Sequence, residues 1–401
     1  MTGQRRVCFV TSTRADWGLL SPVAAALSKR SDTLVSIVAT NMHLDPRYGH
    51  TVDEIRADGF SCVVEVPVHE GIADDSGASR ALIMGRVSIG ISQAFADIGP
   101  DLVVILGDRY EMLSVASVAA VMRIPIVHIA GGEITEGAVD DSIRHAITKL
   151  SSLHLTATEP YRHRVISMGE DPRFVVNTGS IGVDNIMRLA PLSRAELEES
   201  IGIRLGSDAL LVTWHPVTME SPDTVAVGCR ALLDALDRFP ASQVIITYPN
   251  NDACGRVIID MIEAYGRRNP DRVRVIPSLG RVRYISALRY VAAVVGNSSS
   301  GIVEVPSAGI PTVDIGNRQK GRIAGDSVIH CATDTGSIAA AISRALSPQF
   351  RRLAREAANP YHRPATLDAM VAAIALTPIE PLRHKRFIDC DPSSHHNIQE
   401  L

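Results

Sequence analysis

Short apolar runs alternate with longer helical patterns along the first half of the chain, and few hairpin signals separate them. Near-continuous apolar runs of four to eight residues are typical of strands buried on both faces of a sheet. These predicted strands are Arg6–Thr11, Thr33–Thr40, Leu102–Leu106, Pro125–Ile129 and Leu153–Ala157. The predicted helices between them include Ser79–Ile98, Glu111–Met122 and Ser142–Lys149.

A second series of the same kind follows a charged, helix-like linker at Ser193–Ser200. Its predicted strands are Ala209–Trp214, Gln243–Tyr248, Val273–Ile276, Ala292–Val295 and Thr312–Ile315. Its predicted helices are Thr224–Arg238, Val257–Arg267 and Arg281–Tyr290.

Strand–helix–strand alternation indicates right-handed crossovers and a parallel sheet in each half. We therefore predict an α/β protein with two Rossmann-like, doubly wound domains facing a cleft. The predicted ranges are 1–185 for the first domain, 186–375 for the second and 376–401 for a polar C-terminal tail. Ligands of such sheets bind at the carboxyl ends of the strands, so the polar residues there are the candidates for chemistry.

The composition argues against several classes of protein and site. The 401 residues are 46% hydrophobic and 21% charged, with a formal charge of −4 and no block of like charge, which argues against nucleic acid as a partner. The six cysteines are scattered without a CxxC pair, so neither a cysteine zinc site nor a disulfide framework is expected. No continuous run of 18 apolar residues is present, and we expect a cytoplasmic protein.

Two loops of the first half carry candidate residues. The first strand runs into TSTRADWG, where Arg14 and a helix start would form an anion pocket, although capping by Thr11 or Ser12 explains the pattern equally simply. The third predicted strand runs into GDRYE, which places Asp108 and Arg109 together at a strand end, as a site or as a surface ion pair.

A third loop, AGGEITEGAVDDSIRHAITK, follows the predicted strand Pro125–Ile129. Its two glycines would let a ligand approach the backbone closely. Glu133 and Asp140 are candidate carboxylates, although either Asp140 or Asp141 is expected to cap the next helix.

The second half offers His215 at a strand end, a candidate for proton transfer or phosphate contact. It also contains GNSSSGIVEVPSAG, in which Ser298, Ser299, Ser300 and Gly301 precede a helix and would cradle a diphosphate. Helix N-capping is the alternative explanation, but it accounts for only one of the three serines. Glu304, one turn further on, would accept hydrogen bonds from two ribose hydroxyls.

Two common nucleotide signatures are missing from the sequence. No GxxxxGK[ST] sequence surrounds the serines, which argues against ATP-driven phosphoryl transfer. Neither half has GxGxxG after its first strand, which argues against a dinucleotide oxidoreductase. An enzyme acting on a nucleotide sugar fits these motifs best.

The motifs in this order resemble the hydrolysing UDP-N-acetylglucosamine 2-epimerases, the branch that supplies precursors of sialic-acid-like sugars. The segments that carry the resemblance are VCFVTSTRADWG, NMHLDPRYG, GDRYE, GGEITEGAVDDSIRHAITKLS, TWHPVT, YPNND, GNSSSGIVEVPSAGIPTVDIGNRQKGR and HKRFID. They cover nearly the whole chain.

The resemblance implies a fold of the GT-B type, a homo-oligomer (dimer or tetramer), and no redox cofactor or obligatory metal. It implies catalytic or transition-state roles for Asp108, Asp140 and His215. It also implies that UDP contacts the following residues: Arg14, Arg109, Ser298, Ser299, Ser300, Gly301, Glu304 and Arg318.

One position departs from part of the family. Some relatives read HIEGGE on the strand where this chain has Ala130 in HIAGGE, so they carry a glutamate that is absent here. Glu133 is then one candidate for the carboxylate and another group is the alternative. The other functions considered are a non-hydrolysing epimerase, a GT-B glycosyltransferase and a nucleotide-sugar-binding protein with impaired catalysis.

Overall fold

The computed structural model describes residues 4–72, 74, 76–136, 139–216, 222–249 and 255–389, without the side chains of Tyr48 and Pro222. Within these ranges the chain forms two compact units. Unit 1 contains residues up to 133, residues 140–181 and residues from 363 onward. Unit 2 contains residues 134–139 and 182–362.

Unit 1 is built on a seven-stranded sheet in which every paired strand is parallel. The strand order is β3-β2-β1-β4-β5-β6-β7. The strands are β1 (Arg5–Thr11), β2 (Thr33–Thr40), β3 (Val63–Val66), β4 (Leu102–Leu106), β5 (Ile126–Ile129), β6 (Leu153–Thr156) and β7 (Val175–Asn177).

Helices cover both faces of this sheet. They are α1 (Arg14–Ser28), α2 (Val52–Ala57), α3 (Gly77–Ile98), α4 (Tyr110–Val121), α5 (Val139–Leu150) and α6 (Glu159–Ser167), with 3₁₀ turns at Asn41–Leu44, Pro46–Tyr48 and Pro172–Phe174. Strand β1 shows why two layers are needed, because its side chains alternate between two cores. Val7 and Phe9 pack with α1 residues, whereas Cys8 and Val10 pack with α3 and α4 residues.

Unit 2 repeats this design on a six-stranded parallel sheet of order β10-β9-β8-β11-β12-β13. Its strands are β8 (Leu210–Thr213), β9 (Val244–Thr247), β10 (Val273–Ile276), β11 (Ala293–Gly296), β12 (Thr312–Ile315) and β13 (Val328–Cys331). Its helices are α7 (Ile181–Arg188), α8 (Arg194–Ile201), α9 (Pro222–Leu236), α10 (Gly255–Arg268), α11 (Gly280–Tyr290), α12 (Ser299–Val303), α13 (Thr335–Leu346) and α14 (Pro348–Glu356), with a 3₁₀ turn at Val305–Ala308.

The end of the described chain returns to unit 1 rather than closing unit 2. It forms α15 (Thr366–Leu376) and α16 (Ile379–Arg383). Met370, Ile374 and Leu382 are buried in the same core as Val7 and Phe9. The range 186–375 expected for the second domain therefore differs from the observed units after residue 362, because this apolar face packs on α1 and its sheet.

One described helix, α3, has the length and composition that would allow it to cross a membrane, with a mean hydropathy of 1.2 over its most apolar window. In unit 1 it lies against the sheet. Its buried stripe comprises Ile83, Val87, Ile91 and Phe95, spaced three to four residues apart as on one face of a helix.

Candidate functional site

A buried arginine organises the polar residues at the carboxyl edge of the unit 1 sheet. Arg144, on α5, has a side chain that is 1% exposed and forms an ion pair with Asp108, which follows β4. The same guanidinium donates hydrogen bonds to Oδ1 of Asp141 and to the carbonyl oxygen of Glu133, each at 3.0 Å. One cation thus joins the loop after β4, the loop after β5 and the first turn of α5.

The three predicted carboxylates of unit 1 occupy different positions around this arginine. Asp108 pairs with it directly, and the Glu133 backbone contacts it. Glu133 is buried, and its side chain interacts electrostatically with Arg164. Asp140 lies in the first turn of α5 with a half-buried side chain. The sequence motifs therefore do converge on one edge of the sheet.

A buried histidine fixes the loop that presents Asp108. His128, on β5, is completely buried, and its Nε2 lies 2.7 Å from the carbonyl oxygen of Gly107. Burial lowers the pKa of His128 to about 3, so the ring is neutral at physiological pH and donates Nε2–H to that carbonyl. His128 acts here as a positioning group for Asp108.

The glycines of this loop serve internal packing, whereas the sequence suggested close approach of a ligand. A Cβ on Gly131 would lie 2.9 Å from Nδ1 of His128. A Cβ on Gly132 would lie 2.5 Å from the carbonyl oxygen of Tyr161, and the φ of Gly132 is +80°. Each glycine is required by the fold itself.

The start of α1 differs from the expected cap. Thr13 caps the helix by accepting a hydrogen bond from the Asp16 N–H, whereas Thr11 contacts His43 and Ser12 donates to the Asp16 carboxylate. Arg14 begins the helix, and its Nε donates to Glu54 at 3.0 Å. Its side chain is 42% exposed, so this cation lies at the surface of unit 1.

Arg109 lies beside Asp108 and pairs with a buried glutamate. Its Nε is 2.7 Å from Oε1 of Glu111, whose side chain is fully buried. Asn41, after β2, also donates to this oxygen at 2.8 Å. Burial favours the neutral form of Glu111, but the Arg109 charge and the hydrogen bonds from Arg109, Asn41 and the backbone together outweigh burial and lower the pKa of Glu111.

In unit 2, Asn297 connects the residues predicted from the second half. Its side chain accepts a hydrogen bond from the His215 N–H at 2.7 Å and donates to the His215 carbonyl at 2.8 Å. Its own carbonyl accepts hydrogen bonds from Arg318 at 3.1 Å and Gln319 at 2.9 Å. A fully buried asparagine therefore places His215 and Arg318 on the same turn.

This turn also requires a glycine next to Asn297. Gly296 ends β11 with φ +143°, and a Cβ there would lie 1.9 Å from the carbonyl oxygen of Thr213 on β8. Burial, together with the nearby Arg318 charge, holds the pKa of His215 well below its ordinary value. His215 is therefore neutral at physiological pH.

The serine turn comprises Ser298, Ser299 and Ser300, and helix capping does not occupy the Ser298 hydroxyl. Ser298 occupies the N-cap position of α12 without a side-chain capping bond, and its Oγ lies 3.1 Å from Oγ of Ser300. Ser299 begins the helix. Gly301 has a packing role, because a Cβ there would lie 2.8 Å from Cγ2 of Thr312 on the neighbouring strand.

Glu304 ends α12 in a crowded, partly buried position. A Cβ on Gly182 would lie 2.5 Å from its Oε1, and the Tyr284 hydroxyl faces it. Burial raises the pKa of Glu304 to about 7, although Tyr284 opposes the shift. This carboxyl is therefore close to half-ionised at neutral pH.

Two central residues were not identified from the sequence as site residues. Arg144 lies three and four positions after Asp141 and Asp140, a helical ion-pair spacing that could have indicated it. For Asn297, the only signal in the sequence was its position directly before the three serines. Among the described residues, no group of three or more histidine, cysteine, aspartate or glutamate side chains is arranged to hold a metal ion.

Comparison with known proteins gives consistent matches. The sequence matches the protein family described as UDP-N-acetylglucosamine 2-epimerase over residues 25–375. It is 38% identical to the hydrolysing GDP/UDP-N,N′-diacetylbacillosamine 2-epimerase of Campylobacter jejuni, covering 81% of this chain and 84% of that protein. It is 37% identical to the hydrolysing UDP-N,N′-diacetylbacillosamine 2-epimerase of Legionella pneumophila, covering 86% and 89%.

The fold has close counterparts among solved structures. The UDP-GlcNAc 2-epimerase of Neisseria meningitidis, solved bound to UDP-GlcNAc, superposes with a TM-score of 0.76 at 17% identity, covering 92% of this chain and 99% of that one. The two doubly wound sheets are thus those of the GT-B-like epimerases. With a family match over most of its length and two relatives above 35% identity, the chain belongs to the UDP-N-acetylglucosamine 2-epimerase family.

Proposed function

We propose that this protein is a hydrolysing UDP-sugar 2-epimerase. It would convert UDP-GlcNAc or UDP-N,N′-diacetylbacillosamine into UDP and the free 2-epimeric, manno-configured sugar. The observation that carries this proposal is the Arg144-centred cluster, which gathers Asp108, Asp141 and the Glu133 loop in a chain so similar to two hydrolysing epimerases.

The reaction itself explains why such a cluster is needed. Inverting C2 requires removal of a proton from a carbon that has no neighbouring carbonyl to stabilise a carbanion. If UDP leaves C1 first, positive charge develops on the ring and the C2 proton becomes removable, giving a 2-acetamidoglucal. Water then adds across the double bond, with the new C–H bond at C2 formed on the opposite face. Carboxylates stabilise the positive ring, and cations stabilise the departing diphosphate.

UDP binding is assigned to the serine turn with Glu304 and Arg318, and to Arg14 and Arg109, as the sequence motifs imply. The hydroxyls of Ser298 and Ser300 and the Arg318 cation suit a diphosphate, and Glu304 suits the ribose hydroxyls. Arg14 and Arg109 would neutralise phosphate charge. Their present ion pairs with Glu54 and Glu111 mean that either arginine would share its charge between a carboxylate and the phosphate.

Proton transfer is assigned to Asp108, Asp140, Glu133 and His215. Asp108 is the strongest candidate to stabilise the positive ring, because its ion pair with buried Arg144 holds the carboxylate in a fixed position. His215 remains a candidate for proton transfer, because its ring is neutral before the reaction. Ala130 supplies no such group, and it packs against the apolar core with φ +65°.

The direct test is incubation of the purified protein with each UDP-sugar separately. We expect free UDP and a free sugar of manno configuration in equal amounts, measured by chromatography and proton NMR. An intact UDP-linked 2-epimer would indicate the non-hydrolysing reaction instead. Tight UDP binding without turnover of either sugar would indicate a binding protein with impaired catalysis.

We further propose that the protein is a homo-oligomer, a dimer or tetramer, residing in the cytoplasm. The outer side of α3 supports an interface, since Leu82 is 50% and Ile89 is 74% exposed. Light scattering coupled to size-exclusion chromatography measures the mass directly. A monomer of 43.1 kDa at micromolar concentration would contradict this part of the proposal.

A further inference from the structure

Buried polar atoms without hydrogen-bond partners collect at one place in unit 1. Among the described residues, no partner is found for Oδ1 of Asn41, Oε2 of Glu111, either ring nitrogen of His69, or one terminal nitrogen of Arg80. Asp45 is the nearest acidic group to His69, at 3.9 Å from Nε2, which is too long for a hydrogen bond. We refer to Asn41, His69, Arg80, Tyr110 and Glu111 as the Asn41 cluster.

The members of the cluster come from four segments that meet at the carboxyl edge of the sheet. Asn41 follows β2, His69 follows β3, Arg80 is in the first turn of α3, and Tyr110 and Glu111 begin α4 after β4. Asn41 donates to Glu111 at 2.8 Å, and its Nδ2 lies 3.5 Å from the Tyr110 hydroxyl. His69 interacts electrostatically with Glu111, and Arg80 with Tyr110.

The backbone conformation of Asn41 is consistent with a role in binding. Its φ is +51°, in the left-handed region that asparagine tolerates better than most residues. The side chain of Asn41 is held by Glu111, which is itself held by Arg109. Asn41 and Glu111 are 1% and 0% exposed, so their unpaired oxygens cannot be satisfied by bulk solvent. Leaving such atoms unpaired destabilises the folded chain, and a bound ligand that pairs with them would remove that cost.

The unpaired atoms match an amide. Two buried acceptors, Asn41 Oδ1 and Glu111 Oε2, suit an N–H donor, and the nitrogens of His69 and Arg80 suit a carbonyl acceptor. A phosphate or carboxylate would place its negative oxygens against the Glu111 carboxylate, which is unfavourable. An acetamido group presents one N–H and one C=O on adjacent atoms, as this pattern requires.

We infer that the Asn41 cluster is the subsite for the 4-acetamido group of a diacetamido UDP-sugar, an inference that rests on the proposed function. The 2-acetamido group is attached to the reacting carbon, which the proposed function assigns to the Arg144 side of the sheet edge. Asp108 of the Arg144 side and Glu111 of the cluster both follow β4, so the two acetamido groups, which diverge from the ring, would lie on either side of the end of this strand.

Two substitutions test the subsite without touching Asp108, Arg109 or Arg144. His69→Ala and Arg80→Met each remove a donor to the carbonyl of the 4-acetamido group. His163→Ala is the matched control, because His163 is a 63% exposed histidine of the same unit that pairs with Glu159. The measurement is kcat/KM for UDP-N,N′-diacetylbacillosamine divided by that for UDP-GlcNAc, with inhibition by UDP-GlcNAc used instead if it is not turned over.

The wild-type protein is expected to favour the diacetamido substrate. Each cluster variant should lower the ratio about tenfold, and the control should leave it within twofold. Wild-type preference for UDP-GlcNAc, or an unchanged ratio in both cluster variants with unaltered melting temperature and UDP affinity, would overturn the inference. If the wild type releases UDP from neither sugar, the proposed function fails, and the same ratio read from dissociation constants still tests the subsite.

Discussion

A single residue, Arg144, holds together the loops that form the unit 1 site. An arginine this buried is expected only when its donors are satisfied, and it is satisfied by Asp108, Asp141 and the Glu133 carbonyl. Its planar donors fix the two carboxylates in place. The cluster thus offers fixed negative charge to a substrate whose transition state becomes positive.

Asp108→Asn tests that charge. The amide has nearly the same shape but removes the negative charge that would stabilise the positive ring, so kcat should fall by about 10² or more. UDP affinity should change much less, and calorimetric titration with UDP measures it. Asp101→Asn is the matched control, since Asp101 pairs with Arg6 at the opposite end of the same strand. Near-wild-type turnover by Asp108→Asn would remove Asp108 from the catalytic residues.

Asp140→Asn is expected to lower turnover in the same way. Asp140 lies in the first turn of α5 beside Asp141, and its half-buried carboxylate is the one that the family resemblance assigns to chemistry. Steady-state rates of UDP release measure the effect. A loss confined to thermal stability, with kcat preserved, would mean that Asp140 serves only the helix start.

Glu304 gives a pH-dependent prediction. Its pKa is raised from 4.5 to about 7 by burial, so the folded state favours the neutral acid. The stabilisation by this group is complete below pH 4.5, declines as the pH rises to about 7, and is lost above it. Its size is at most about 3.5 kcal/mol, from the difference between 4.5 and about 7 at about 1.4 kcal/mol per pKa unit.

Glu304→Gln removes this titration while keeping the shape of the side chain. The melting temperature of the variant relative to wild type should therefore rise between pH 5 and pH 8, as measured by differential scanning fluorimetry across that range. A difference that is constant with pH would contradict the raised pKa. UDP affinity measured on the same samples reports whether Glu304 also contacts the ribose.

At the scale of elements, the C-terminal segment fixes the helix that carries the site. Lys385 donates hydrogen bonds to the carbonyl oxygens of Lys149 at 2.7 Å and Ser151 at 2.5 Å, around the end of α5. It also pairs with buried Glu170 at 2.7 Å, which His154 contacts at 3.0 Å. The HKRFID motif, for which the sequence indicated no role, thereby anchors the far end of α5, the helix that carries Arg144.

Lys385→Met should destabilise unit 1 by about 2 kcal/mol, because Glu170 loses a cation and two helix-end carbonyls lose their donor. Arg386→Met, at an exposed neighbouring position, is the control and should change little. Urea unfolding followed by circular dichroism measures both variants. Equal stability of the two variants would show that this anchor is not needed.

The turn after β11 leaves no room for a side chain at Gly296. Gly296→Ala would place a Cβ 1.9 Å from the carbonyl oxygen of Thr213, so unit 2 should lose more than about 3 kcal/mol or fail to fold. Gly85 occupies an exposed position of α3, and a Cβ added there meets nothing within 4 Å. Gly85→Ala should therefore be neutral or stabilise by up to about 1 kcal/mol. Comparable expression and melting of the two variants would contradict the packing described here.

The interior strands of both sheets were predictable, because strands buried on both faces leave continuous apolar runs in the sequence. Three sheet-edge strands were missed: β3, β7 and β13. Each is three or four residues long and partly exposed, so its apolar run is interrupted. The strand ends were located well enough to bring Asp108, Glu133 and His215 into consideration. The hydrogen bonds of Arg144 and Asn297 required the folded chain, since their partners come from distant loops.

At the scale of the whole molecule, the predicted α/β class and family membership are confirmed. The sequence could predict two doubly wound sheets, because alternating strands and helices allow few other arrangements. It could not predict that α15 and α16 return to unit 1. An amphipathic helix shows which face is apolar, but the sheet that this face covers is determined by packing.

The central claim is that UDP leaves before C2 is inverted, so that hydration of a glycal creates the new stereocentre. Turnover of either UDP-sugar in D₂O, followed by NMR of the released sugar, tests this most directly. We expect one deuterium at C2 of the manno product, formed together with free UDP. A released sugar that keeps its original proton at C2 would contradict it.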